Sequence, residues 1–209
     1  MGLFNRKSAS ASASVSTAVA GGTAVESGSS LSHLTGDYVI DSTHSEIGFS
    51  LKYAKVTTMR GRFTEYDGRL RLDGSTPSAS TAEVVIKVAS IDTALAGRDE
   101  HLLNGDFFAV EEFPEMTYRS TSAERVDEDT FRMNGDLTIK GVSRPVALEL
   151  TLNGEVVDPM GNVRVGFDGS ATISRSDWGL TYNAALEGGG VLISDKVKLT
   201  FDISAIREA

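Results

Sequence analysis

A chain of 209 residues with 40% hydrophobic residues is long enough to bury one sizeable core, and an all-β barrel can use that length without forming a second domain. The formal net charge of −9, without clustered Lys and Arg, argues against nucleic acid as a partner, because a phosphate backbone is bound by a basic patch. The chain has no cysteine, which excludes disulfides, thiolate metal sites and cysteine nucleophiles.

The start of the chain differs in composition from the rest. Residues 8–30 are Ser, Ala, Gly, Thr and Val with one charged residue, and such a segment buries too little apolar surface to offset the entropy cost of ordering its backbone. We therefore expect a disordered N-terminal arm over residues 1–36 and one domain over residues 37–209. No continuous apolar segment follows Lys7, so we expect a cytoplasmic protein without a signal peptide, making at most peripheral membrane contact.

Alternating apolar and polar residues predict β-strands along most of the domain. In residues 46–53 every second residue is apolar, beginning with Ile47, as expected of a strand that buries one face. The same alternation predicts strands at 131–139, 146–152, 163–173 and 197–203. Less regular strands are expected at 62–72, 82–89 and 116–124, the first with a bulge at Asp67-Gly68. The alternation directs Phe49, Phe167 and Phe201 inward and Lys52, Arg164 and Lys198 toward solvent.

Short turn-forming segments separate the predicted strands. Residues 127–129, the pair Asn153-Gly154 and residues 158–162 are rich in Asp, Asn and Gly, which is typical of hairpin connections. Residues 92–110 lack the alternation and predict a short helical segment that closes one end. The sequence therefore predicts an all-β fold, a single antiparallel lipocalin-like barrel of about eight strands in meander order.

Small residues at inward positions bear on whether such a barrel is hollow. An eight-stranded barrel is just wide enough either to be filled by side chains or to hold one small ligand. Gly135, Gly169 and Ala171 fall on the inward phase between bulky residues, which predicts gaps in the filling. Glycines at bulges or barrel corners give the same pattern, so spacing alone leaves a ligand cavity and a solid barrel equally open.

Sequence motifs for catalysis or metal binding are missing. His33, His44 and His101 do not have the spacing of a zinc site, and neither a nucleophile elbow nor a phosphate-binding loop occurs. Arg98, Asp99 and His101 are interpreted as a hydrogen-bonded network that holds the helical segment in place. We expect no catalytic residue, cofactor or metal. An isomerase or cyclase that acts on an apolar substrate inside the barrel stays an alternative, as does a structural or interaction module with a solid barrel.

Short blocks of sequence follow one another in a specific order over residues 36–207. They are 38–49, 56–63, 90–93 with 98–102 and 106–108, then Phe113-Pro114, 135–146, 177–187 and 191–195. Each block is weak alone, but together they resemble the YceI-like family of bacterial polyisoprenoid-binding, lipocalin-like proteins. Two positions depart from the family pattern, Tyr53 where many members have His and Tyr182 where many have Trp. These departures bear on the head group of the ligand.

The resemblance implies an extended barrel around an apolar tunnel. It also implies non-catalytic binding, storage or transport of a long apolar lipid, a polyisoprenoid or isoprenoid quinone or a similar lipophilic ligand. The inward positions and the matched blocks together predict these ligand contacts: Phe49, Leu51, Tyr53, Phe63, Phe107, Phe108, Met133, Leu137, Ile139, Phe167, Ala171, Trp178, Leu180 and Tyr182. The sequence leaves the oligomeric state open, a homodimer included.

Overall fold

Eleven strands of one antiparallel sheet and one α-helix make up the fold, which was obtained as a computed structural model that describes residues 31–185 and 190–208. The prediction of disorder for residues 1–30 lies outside these ranges. The strands are β1 (Gly36–Ile40), β2 (Glu46–Tyr53), β3 (Thr57–Phe63), β4 (Tyr66–Leu72), β5 (Thr81–Lys87), β6 (Ile91–Asp92), β7 (Glu115–Arg125), β8 (Thr130–Ile139), β9 (Val142–Val157), β10 (Val163–Ser174) and β11 (Ile193–Arg207), and the helix is α1 (Ala96–Leu103).

Three walls of the barrel are each built from two consecutive strands. β1 and β2 both pair with β11, and they continue one another past a break in the hydrogen bonding. The second wall consists of β3 and β4, and the third consists of β5 and β6. β3 pairs with β2 on one side and β6 on the other, and β4 pairs with β1 and β5 in the same way. From there the chain runs through β7, β8, β9, β10 and β11 in sequence order, and the sheet closes where β11 meets β1. The prediction of an eight-stranded antiparallel meander barrel is confirmed.

The change of parity near β4 lies at a strand break and not at the predicted bulge. Phe63 and Tyr66 are both 7% exposed, so the inward phase shifts across Thr64 and Glu65, before Asp67 is reached. At this break the Thr64 backbone N–H donates to Ser90 Oγ (3.2 Å) and Thr64 Oγ1 donates to the Ser90 carbonyl (3.2 Å). Ser90 therefore satisfies the polar groups that the sheet leaves open there.

The predicted hairpin at Asn153-Gly154 is wrong, because β9 continues through it as far as Val157. Gly154 has φ of +123°, and the pairing of β9 with β10 shifts register next to Gly166, so the pair forms a bulge inside a long strand. The turn itself lies at residues 158–162, as also predicted. Asp158 Oδ1 accepts hydrogen bonds there from the Met160 and Asn162 backbone N–H groups, both at 2.9 Å.

The predicted strand faces hold, with a difference at Arg164. Phe49, Phe167 and Phe201 face the interior, and Lys52 and Lys198 are exposed. Arg164 lies on the outer face, yet its guanidinium is held between Asp41 (2.6 Å) and Asp158 (2.7 Å). Its strand phase was predictable, but its pairing with a carboxylate 123 residues away was not.

The ordered barrel begins before the predicted boundary at residue 37. Leu31 is 8% and Leu34 is 4% exposed. A short 3-10 turn, Ser32–Leu34, lies just before β1. Tyr38 Oη donates to the Leu34 carbonyl at 3.0 Å. A Cβ atom at Gly74 would lie 1.7 Å from the Leu31 carbonyl oxygen, so this close approach requires glycine. Residues 31–36 therefore belong to the barrel.

Candidate ligand-binding cavity

An apolar cavity of about 440 Å³ occupies the interior of the barrel. This volume falls within the range of sites that enclose a small molecule. Inward side chains of nearly every strand contribute to its wall, such as Val146, Leu148, Leu150 and Leu152 on β9 and Val197, Leu199, Phe201 and Ile203 on β11. Leu31 and Leu34 line one end, and His101 and Tyr182, near α1, line the other. The cavity therefore extends from one end of the barrel to the other.

The structure brings most of the predicted ligand contacts together on this wall. Those that line the cavity are Phe49, Leu51, Tyr53, Phe63, Phe107, Phe108, Met133, Leu137, Ile139, Phe167, Leu180 and Tyr182. Ala171 and Trp178 do not. Trp178 is 2% exposed and donates from Nε1 to the Leu137 carbonyl (3.0 Å), which ties it to the sheet as a core residue. Ligand contact by the lining residues stays a prediction.

The cavity does not lie at the small inward residues where the sequence placed it. A Cβ atom at Gly135 would lie 2.5 Å from Tyr118 Cζ, and one at Gly169 would lie 2.5 Å from Leu150 Cδ2. Neighbouring side chains already occupy both gaps, and Tyr118 is fixed there because its Oη donates to the Met133 carbonyl at 2.9 Å. Neither these glycines nor Ala171 lines the cavity. The space lies instead between large side chains that reach inward from all sides.

Polar side chains meet the cavity mainly near α1. Thr93 is 6% exposed, and its Oγ1 accepts a hydrogen bond from Arg98 Nε at 2.6 Å while it donates to Asp99 Oδ1. Arg98 Nη2 also donates to the Thr93 carbonyl. Of the predicted network, Arg98 and Asp99 therefore meet, with Thr93 at their centre, a residue that the sequence interpretation had not included. His101, the third predicted member, is not part of it and lies beside Asp106 instead.

An aromatic cluster packs the α1 end of the cavity. The ring of His101 meets Phe107 and Tyr182 edge to face, with centroids 5.1 and 5.0 Å apart, and the rings of Phe107 and Tyr182 are themselves 5.0 Å apart. His101 Nε2 lies 3.2 Å from Asp106 Oδ2. These contacts attach the segment after β10 to the helix, so the two together cover this end.

Arg175 is a buried cation on the cavity wall that sequence reasoning missed. It is 7% exposed, and its Nε donates to the Ser194 carbonyl (3.1 Å) while Nη1 donates to the carbonyls of Tyr182 (2.9 Å) and Leu180. Burial lowers the pKa of the Arg175 guanidinium, and the charge of Asp195 opposes that shift. The signal was available in the sequence, since the alternation of β10 puts residue 175 on the same inward phase as its apolar neighbours.

An eight-stranded antiparallel barrel that encloses an apolar cavity has the architecture of the lipocalin-like ligand-binding proteins. Within residues 31–185 and 190–208, no three His, Asp or Glu side chains gather as metal ligands do, and no helix is long and apolar enough to cross a membrane. The sequence model of the YceI-like domain matches residues 38–205. The chain belongs to the YceI-like family.

Known relatives agree with this assignment, and solved structures share the fold. A UPF0312 protein of Pseudomonas aeruginosa is 35% identical over 177 residues, which is 84% of this chain and 89% of the relative. BcnA of Burkholderia cenocepacia has a similar fold, with a TM-score of 0.70 and 21% identity, covering 79% of this chain and 98% of that one. A polyisoprenoid binding domain from Saccharophagus degradans, implicated in plant cell wall breakdown, superposes with a TM-score of 0.61 and 17% identity over 82% of this chain and 98% of the domain.

Proposed function

We propose that this protein binds one long apolar lipid inside the barrel, a polyisoprenoid or an isoprenoid quinone, and carries or stores it without chemical change. The observation that carries the proposal is the apolar cavity of about 440 Å³ that extends between the two ends of the barrel. A solid barrel, the alternative that the sequence left open, lacks such a space. The polyisoprenoid-binding description of the Saccharophagus degradans domain supports the same ligand class.

The driving force for binding is the removal of apolar surface from water. Each buried methylene group contributes roughly 0.8 kcal/mol, so a chain that covers roughly ten of them binds firmly even after the cost of ordering chain and protein. The polar groups on the wall that we describe at Thr93 and Arg98 are bonded to each other and to backbone. They hold α1 in place, which supports a binding function over acid/base chemistry.

Two measurements test the proposal. Mass spectrometry of an organic extract, taken from protein purified out of its own host, is expected to show an isoprenoid chain in near-stoichiometric amount. For protein freed of lipid, affinity for geraniol, farnesol and geranylgeraniol is expected to rise by at least about tenfold per isoprene unit until the cavity is full. Extracts without any lipophile, together with affinities that do not depend on chain length, would contradict the proposal.

We also propose that this binding takes place in the cytoplasm. Fractionation of the host with antibodies against the protein, alongside markers for each compartment, tests the location. Recovery with the cytoplasmic markers is expected. Recovery from the periplasm or the medium overturns this part of the proposal and leaves the ligand class unaffected.

A further inference from the structure

Three arginine side chains line the cavity, Arg60, Arg98 and Arg175, and none of them has a carboxylate within ion-pair distance among the described residues. Arg60 is exposed to solvent, so the two sheltered arginines, Arg98 and Arg175, are the ones considered as a binding site. Arg98 is half-buried and uses Nε and Nη2 for Thr93, whereas its Nη1 contacts only the sulfur of Met59 (3.7 Å). Arg175 is 7% exposed and uses Nε and Nη1 for backbone carbonyls. Arg119, on the outer wall, does have such a partner, since it pairs with Glu83 at 2.7 Å.

Each of these arginines keeps hydrogen-bond donors that the protein does not use. Arg175 Nη2 makes no hydrogen bond to the described part of the chain, and no side-chain nitrogen there is both fully buried and without a partner. Nη2 therefore retains accessible surface, and because Arg175 lines the cavity, we place that surface on the cavity side. Arg98 Nη1 is in a similar position, with a thioether as its neighbour.

Both arginines lie at the same end of the cavity. His101 follows Arg98 by three residues on α1, so their side chains share a face of the helix. The ring of His101 packs on Tyr182, and the Tyr182 carbonyl accepts from Arg175 Nη1. Among the described lining residues the acidic one is Asp73, which lies beside Gly74 at the opposite end, near Leu31.

This arrangement makes the cavity electrically asymmetric. Removing a guanidinium from water without a counter-ion is costly, and the cost is recovered when an anion accepts its free N–H groups. Guanidinium groups match carboxylate and phosphate oxygens in geometry, and such charge-assisted bonds are about twice as strong as neutral ones. The apolar wall between the two ends suits a hydrocarbon chain.

We propose that the lipid carries an acidic head group, a carboxylate or a phosphate, which is bound by Arg98 and Arg175 at the α1 end. The chain then extends toward Leu31 and Leu34 at the other end. This inference rests on the proposed lipid-binding function and adds the chemistry and the orientation of the ligand.

Three ligands that share one chain separate the head group from the tail: geranylgeraniol, geranylgeranoic acid and geranylgeranyl phosphate. Isothermal titration of the full-length, lipid-free protein is expected to show the acid and the phosphate binding about ten- to a hundredfold more tightly than the alcohol. A higher affinity for one of the two anions identifies which head group the site prefers. Equal affinity for all three overturns the head-group proposal alone, whereas no binding of any of them overturns the proposed function as well.

Variants assign the effect to the two arginines. Arg98→Gln is expected to abolish the preference for the anions, measured as the ratio of anion affinity to alcohol affinity. This ratio is the readout because Arg98 also holds α1 through Thr93, so its loss can lower the affinity for every ligand. Circular dichroism and the melting temperature of the variant check the fold. Arg175→Lys keeps the charge but loses the planar fork, so a preference reduced by about tenfold is expected. Arg119→Gln, on the outer wall, is the control and keeps the full preference. An undiminished preference in both Arg98→Gln and Arg175→Lys overturns the proposal.

Discussion

Filling the cavity from its wall is a direct test of the hollow barrel. Ala82, on β5, lines the cavity, and Ala82→Phe places an aromatic ring in that space. Burying the ring contributes about 1.5–3 kcal/mol, and fixing its rotamer costs about 0.5–1 kcal/mol. We therefore expect the free energy of unfolding of the lipid-free protein to rise by about 1–2 kcal/mol. In a fully packed interior the same change would lower it by about 1–3 kcal/mol, so the sign of the effect decides.

The assay for this variant combines stability with binding. Urea unfolding of lipid-free wild type, Ala82→Phe and the control Ala147→Phe gives the stabilities, and Ala147 suits the control because it is exposed on the outer face of β9. Geranylgeraniol is expected to bind Ala82→Phe at least about tenfold more weakly, since the ring displaces several buried methylene positions. Geraniol, which is shorter, is expected to lose less. A destabilised Ala82→Phe that binds both alcohols as wild type does would refute the reasoning.

Three other expectations concern the fold. Hydrogen bonds from Arg164 above all, and also from His44 and the Thr43 backbone N–H, lower the pKa of Asp41 to about 2. Together they contribute about 2 kcal/mol of stability, which is complete above pH ~4 and is lost as the pH falls toward 2. Urea titrations at a series of pH values should show a flatter profile for Arg164→Met. Leu34→Ala is expected to lower the free energy of unfolding by about 2–5 kcal/mol, because Leu34 is buried. Deletion of residues 1–30 is expected to leave the melting temperature unchanged. A deletion that destabilises the protein more than Leu34→Ala does would contradict the packing described for Leu31 and Leu34. Gly135→Ala is expected to destabilise the protein by at least about 1 kcal/mol, because its Cβ has no room beside the tyrosine ring; a neutral effect by calorimetry would argue against that contact.

Periodicity identified the strands well and their interruptions poorly. The alternation over residues 46–53 matches β2 in both bounds, since Ile47, Phe49 and Leu51 on one face of that strand all line the interior. The break between Phe63 and Tyr66 was misplaced, because it depends on hydrogen bonds from Ser90, which is distant in sequence. Asn153-Gly154 has the composition of a hairpin turn, but pairing of β9 with β10 on both sides of it keeps the strand continuous. At this position the pairing between the two strands determines the backbone conformation, and the local preference of Asn and Gly for a turn does not.

The candidate site was predictable as a set of inward positions and not as a space. Strand phase placed Phe49, Phe167 and Leu137 on the wall correctly, since facing inward follows from parity alone. Trp178 is the last residue of the 3-10 turn that follows β10, Arg175–Trp178, and the parity of the strand does not extend past the first residue of that turn. The volume depends on how side chains from different strands lean across the interior, which no pattern along one strand encodes.

The inward glycines still contribute to the cavity, by a route that their spacing did not suggest. A Cβ atom at Gly61 would lie 2.4 Å from Phe49 Cζ, and the ring of Tyr118 lies in the same way over Gly135. Phe49 and Tyr118 both line the cavity. A ring whose tip lies over a glycine on the next strand can stay close to the sheet, whereas a Cβ at that position would push the ring away. Each glycine therefore provides space by accepting an aromatic ring against the wall, so the open volume appears at the centre of the barrel and not at the glycine itself.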